Sequence, residues 1–221
     1  NLLCRSRKGR DVEWLALGAP PETAAHRVVL TARHHCCEMI ADFVMEGIID
    51  GVLGDDEPGT WLRRQVAFCF IPFADKDGVE DGDQGKNRRP RDHNRDYVGE
   101  SVHVETAAIR EFLPRWGGTR GIDAALDLHC PWIRGHYESH IYQVGREEPG
   151  NWREQQRFGE LIEARLTPDA LPYRAADNLP FGEAWNKAAN YSSGMRFSRW
   201  SSTLPGMRLP TSFEIPYSEA S

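Results

Sequence analysis

The stretch Val66-Ala67-Phe68-Cys69-Phe70-Ile71 is apolar at every position and stops at Pro72. A strand with one wet face alternates polar and apolar residues, whereas an uninterrupted run needs cover on both faces. His26-Arg27-Val28-Val29-Leu30-Thr31-Ala32 is a second short, β-branched run; Ile122 to Leu128 is a third and Ser212 to Ile215 a fourth. Between them, Met39, Ile40, Phe43, Val44 and Ile48 recur at helical spacing. Ile109, Phe112, Leu113 and Trp116 repeat that pattern, as do Phe158, Leu161, Ile162 and Leu166. Strands alternating with such helices predict an α/β fold, with helices on both faces of a mixed, mostly parallel central sheet. The polar stretch from Asp75 to Arg91 predicts a long loop, and a loop of that length in a compact domain is usually functional. No repeat, heptad run or low-complexity linker divides the 221 residues, so one domain over residues 1–221 is expected.

Composition removes several function classes. No run approaches 18 apolar residues, so no membrane-spanning helix is expected. Lys and Arg number 27 against 33 Asp and Glu, a net charge of −6 that argues against a nucleic-acid partner. The five cysteines include one adjacent pair and no CxxC, which predicts reduced thiols in a cytoplasmic protein.

Chemistry-bearing residues cluster at the predicted strand ends. In His35-Cys36-Cys37-Glu38 a three-residue spacing places imidazole and carboxylate on one face if a helix holds both. Alone, this quartet is more often a solvated pair than a metal site. Its place directly after a buried strand favours the metal, because open α/β sheets bind ligands beyond their strands' carboxyl ends. His129 closes another strand in the same way, in Asp127-Leu128-His129. By itself it reads more readily as a core histidine, and His35 with Glu38 shifts the balance toward a metal. Two histidines, one carboxylate and an open fourth position form the catalytic pattern for zinc. A basic cluster, Lys86, Arg88, Arg89, Arg91 and Arg95, falls in and beside the polar loop. It is no phosphate-binding loop, since Glu80 and Asn87 stand where glycine and Ser or Thr are needed. Arginine forks beside Asn94 instead suit a carboxylate.

In order along the chain, Gly9-Arg10-Asp11-Val12-Glu13, Ala32-Arg33-His34-His35-Cys36-Cys37-Glu38 and Asp77-Gly78-Val79-Glu80 are followed by Asp92-His93-Asn94-Arg95, Asp127-Leu128-His129 and Ser212-Phe213-Glu214. With these motifs the chain resembles the zinc metallocarboxypeptidases of the carboxypeptidase A superfamily, closest to the cytosolic carboxypeptidase-like branch. The resemblance implies hydrolysis of the C-terminal peptide bond of a peptide or protein, with Zn²⁺ as cofactor. It implies His35, Glu38 and His129 as zinc ligands, Asp92 as hydrogen-bond partner of His35, and Glu214 as general base. Asn94 and Arg95 would hold the terminal carboxylate, and Arg88, with Arg89 as near-equal candidate, would polarise the scissile carbonyl. Tyr191 and Tyr217 are candidates for the family's capping tyrosine. The pattern departs at Cys36-Cys37, where Pro-Gly is usual, at His93 in place of leucine, and at Ser212-Phe213 before the catalytic glutamate. The branch also implies an upstream β-sandwich domain. Two other functions fit the residues: a zinc amidohydrolase of the aspartoacylase or desuccinylase kind, and a non-catalytic domain whose basic loop binds an acidic partner.

Overall fold

The structure is a computed structural model and describes residues 1–218 and 220. Its strands are β1 (Leu2–Arg5), β2 (Asp11–Glu13), β3 (Leu15–Gly18), β4 (His26–Ala32), β5 (Val66–Ile71), β6 (Ala124–His129), β7 (Tyr142–Gln143) and β8 (Leu209–Glu214). Six of them form one sheet in the order β3-β5-β4-β6-β8-β7, and β1 pairs with β2 apart from it. The four inner strands are parallel, while the edge strands β3 and β7 run antiparallel to their neighbours. The helices are α1 (Ile40–Leu53), α2 (Glu57–Gln65), α3 (Lys76–Asp81), α4 (Val104–Gly117), α5 (Pro149–Glu163) and α6 (Phe197–Ser201).

The apolar run in β5 is explained by two cores. Val66, Phe68 and Phe70 pack on one face with Leu30, Met45 and Leu128, beneath α1 and with Phe158 and Ile162 of α5. Cys69 and Ile71 point the other way, toward Val29, Ile109 and Leu113, with Phe197 of α6 beside them. Burying a side chain such as Phe70 contributes about 1.5–3 kcal/mol, so a strand covered on both faces stabilises both layers. The helical stripes are narrower than their spacing predicts. Met39, Phe43 and Leu161 lie 51%, 57% and 45% exposed, because only the i, i+4 row nearest the sheet is covered.

The stretch from Asp75 to Arg91 is not loop throughout, since α3 occupies its first part. The Asp75 carboxylate accepts from Gly78 N at 2.9 Å, and Gly82 ends the helix in the left-handed region at φ 73°. Both signals are strong, but this short polar helix carries no apolar period. Chain direction then makes the site. From β4 the sheet continues to β5 on one side and to β6 on the other, so the carboxyl ends of β4 and β6 flank a topological switch point. No helix among the described residues is long and apolar enough to cross a membrane.

Candidate active site

The crevice at that switch point is a cavity of about 340 Å³. His35 and Glu38 reach it from a turn after β4, closed by Glu38 N donating to His35 O at 3.1 Å. Neither residue lies in α1, so turn geometry and not a helical face brings them together. Glu38 Oε1 lies 2.9 Å from His35 Nδ1, and Glu38 Oε2 lies 2.7 Å from His129 Nδ1 at the end of β6. All three donor atoms fall within 4.8 Å of one another. Two imidazole nitrogens and a carboxylate oxygen match the donor set of catalytic zinc.

The far side of each imidazole also faces a carboxylate. His129 Nε2 donates to Asp127 Oδ2 at 2.7 Å, which leaves Nδ1 as the free lone pair. His35 Nε2 lies 3.6 Å from Asp92 Oδ1, beyond hydrogen-bond distance, and that buried oxygen has no hydrogen-bond partner among the described residues. Asp127 carries more than His129, since its Oδ1 accepts from His34 Nδ1 and Thr31 Oγ1, both at 2.8 Å. Burial pushes the Asp127 carboxyl up, but the two imidazoles outweigh it and hold the group far below the usual range. Burial likewise pulls the His129 imidazole down, while Asp127 and Glu38 raise it well above its ordinary value. The buried carboxylates thus supply the negative charge that a bound cation would meet, and each imidazole would ligate it only in the neutral form, giving up its Nδ1 proton.

Glu214 ends β8 in register with His129 and lines the same cavity. Burial pushes its carboxyl up to about 7, and Glu38 adds to the rise against His129 and Lys86. Asn94 follows Asp92 on a turn, with Oδ1 accepting from Phe197 N at 2.9 Å and Nδ2 lying 3.0 Å from His129 Nε2. Arg95 donates to the carbonyls of Asn94 and Asn190 and lies 5.2 Å from the Tyr191 ring centre. Met195 exchanges backbone hydrogen bonds with Arg95 and Tyr97, and this bridge brings residues 191–196 against the Asn94-Arg95 turn. Arg196 therefore also enters the cavity, 4.2 Å from the Tyr191 ring centre and only 5% exposed. It donates to Gly145 O and to the Tyr191 hydroxyl, and among the described residues no carboxylate pairs with it.

Two expected residues stand elsewhere. Arg88 donates to Asp75 Oδ2 at 2.7 Å and to Asp83 at 3.1 Å, and does not line the cavity. Arg89 is exposed, also outside it. Arg88 is drawn off because Asp75, the α3 cap, offers a buried anion closer to hand. Among the described residues the cation that does reach this donor set is Lys86, whose Nζ lies 2.6 Å from Glu38 Oε1. Of the two tyrosines, Tyr191 lines the cavity; the Tyr217 hydroxyl lies 3.7 Å from Cys37 Sγ and does not. The sequence reading gave Asp127 and Lys86 no site role and did not reach Arg196. Asp127 carried a signal, two residues before His129 and so on the same strand face, and Lys86 belonged to the basic cluster.

Residues 2–127 match the zinc carboxypeptidase family. The chain belongs to that family. The matched span holds His35, Glu38, Asp92, Asn94 and Arg95, while His129 and Glu214 lie beyond it and are joined to it by the sheet register. Family relatives include cytosolic carboxypeptidase 2 of Danio rerio, 36% identical over 81% of this chain and 24% of its own length. Cytosolic carboxypeptidase 3 of Mus musculus is 30% identical over 79% of this chain and 18% of its length. The chain thus spans about a quarter or less of the length of these relatives. The fold recurs in the metallo-carboxypeptidase of Burkholderia cenocepacia, with TM-score 0.69 and 20% identity over 99% of this chain and 55% of that one. Carboxypeptidase A of Helicoverpa armigera shares it too, with TM-score 0.69 and 16% identity over 100% and 60%.

Proposed function

We propose that this chain is the catalytic unit of a zinc-dependent carboxypeptidase that removes acidic residues from the C-terminus of a peptide or protein. One observation carries the reading: a single cavity gathers the His35, Glu38 and His129 donors, the buried carboxyl of Glu214, and two arginines flanking Tyr191. Bound zinc supplies Lewis acidity and lowers the pKa of water to about 7. Glu214 takes a proton from the attacking water and returns it to the leaving amine, a task suited to a carboxyl near neutrality. Arg95 holds the terminal carboxylate. Arg196 is a buried cation that no carboxylate among the described residues pairs with, and it supplies a counter-charge for the side chain of a terminal glutamate or aspartate. The names of the cytosolic relatives, together with five free thiols, support a cytoplasmic location.

The test is turnover of paired peptides by zinc-loaded protein. Free C-termini should be cleaved and amidated ones refused, chelation should abolish turnover, and added zinc should restore it. Equal cleavage of amidated peptides would favour the amidohydrolase reading, and no turnover at full zinc content the binding-domain reading. Arg196→Gln should reduce the preference for terminal Glu over Gln by about 10-fold or more, the worth of one charge-assisted hydrogen bond at about 1.5–3 kcal/mol. A preference that survives this change removes Arg196 from the specificity pocket.

Arg95→Ala should raise KM strongly, and Arg95→Lys should recover only part, because an ammonium lacks the planar fork. Discrimination between free and amidated termini is the measurement. If Arg95→Ala discriminates as well as the parent, the anchor lies elsewhere.

A further inference from the structure

We propose that Lys86 is the electrophilic cation of this site, donating to the carbonyl oxygen of the scissile bond as negative charge develops on it. The proposal rests on the carboxypeptidase reading above and deepens it. Three permanently charged cations line the cavity, Lys86, Arg95 and Arg196. Arg95 and Arg196 flank Tyr191, where they suit carboxylates. Lys86 is the one in contact with a metal-ligand residue, with Nζ 2.6 Å from the Glu38 oxygen that also faces His35. A carbonyl approaching that ligand set comes within reach of this ammonium. The two arginines the motif offers for the role are unavailable, Arg88 held by Asp75 and Asp83 and Arg89 exposed.

The placement of Lys86 is built into the backbone. Gly85 before it is buried at φ +81°, and a Cβ there would lie 2.5 Å from Cys36 N and 2.7 Å from Cys36 Sγ. Only glycine lets the loop approach the His35-Cys36 turn so closely. The Cys36 thiol fastens the same loop by donating to Asp83 O at 3.0 Å. Asn87 continues in the left-handed region at φ 58°. Lys86 is thereby fixed at its Cα beside the metal ligands, while its four-carbon stem leaves the ammonium free to move from Glu38 to a developing oxyanion. In the step itself, water oxygen bonds to the carbonyl carbon and the C=O π pair moves to oxygen, toward Lys86. The water proton goes to Glu214. The C–N bond then breaks as the carbonyl re-forms, and the leaving nitrogen takes that proton.

Lys86→Met and Lys86→Arg separate this role from metal binding. Each zinc-loaded protein is assayed for zinc content, for kcat and KM on a peptide ending in glutamate, and for binding of free glutamate and a phosphinic peptide that mimics the tetrahedral intermediate. Lys86→Met should retain zinc and bind glutamate as the parent does. It should lose about 10²–10³-fold in kcat, the cost of one oxyanion donor, and bind the phosphinic peptide more weakly by a comparable factor. Lys86→Arg should recover much of both. Loss of zinc, or equal weakening of glutamate and mimic, would assign Lys86 to ligand support or to the ground state and overturn the proposal, as would parental kcat in Lys86→Met. Parent protein that carries zinc yet neither cleaves the peptide nor binds the mimic instead defeats the carboxypeptidase reading, and this proposal falls with it.

Discussion

Glu214→Gln should lower kcat by about 10²–10⁴-fold, the range for removal of a positioned proton-transfer group. The carboxyl ends β8 in register with His129, inside the cavity that holds the ligand set. Burial is the main reason it is held near 7, where a group can both accept a proton from water and surrender it to an amine. Glutamine preserves shape and hydrogen bonding but cannot take the proton. Zinc content and substrate KM should therefore stay close to the parent while kcat collapses. Steady-state kinetics at verified full zinc occupancy checks this, and turnover within a few-fold of the parent would transfer the base role to another group.

The second large effect is expected at Asp127, which touches no substrate. Its two oxygens receive Thr31 Oγ1, His34 Nδ1 and His129 Nε2 in a fully buried position. Asp127→Ala strands a hydroxyl and two imidazoles without their acceptor, and breaking such a buried charged arrangement costs about 3–5 kcal/mol. His129 also loses the partner that keeps its proton on Nε2 and its lone pair on Nδ1. Zinc affinity should fall by about 10–100-fold, as for other carboxylates that orient a ligand histidine. Denaturant unfolding of the metal-free protein reads the first effect, and competition with a chelator of known affinity reads the second. A variant that unfolds early but binds zinc normally would confine Asp127 to stability.

These two residues mark a boundary. Glu214 carried a sequence signal, since it lies within the expected strand Ser212 to Ile215 and in the Ser212-Phe213-Glu214 motif. Asp127 was in plain view beside His129, but its role depends on which residue of β4 lies opposite. That register, Thr31 against Asp127, is a property of the assembled sheet. The inner strands were legible because burial on both faces leaves an apolar run that no other element needs. The edge strands β3 and β7 and the helix α3 were not, because short, partly solvated elements are specified by caps and neighbours, with no hydrophobic period to show.

The amino-acid sequence by itself determined the α/β layering, the positions of β4, β5 and β6, and the identity of His35, Glu38 and His129 as a possible ligand set. These follow from local rules: apolar periodicity records burial, and residues that end buried strands meet at one edge of a sheet. Only the tertiary structure decided which cations serve the cavity. Arg88 sits two residues from Lys86 in a run of similar charge, yet one turns toward Asp75 and the other toward Glu38. Arg196, distant in sequence from Arg95, shares Tyr191 with it because a backbone bridge joins their segments. The direction of a loop side chain is set by the nearest buried partner and by backbone positions such as Gly85, and neither leaves a periodic trace in the chain.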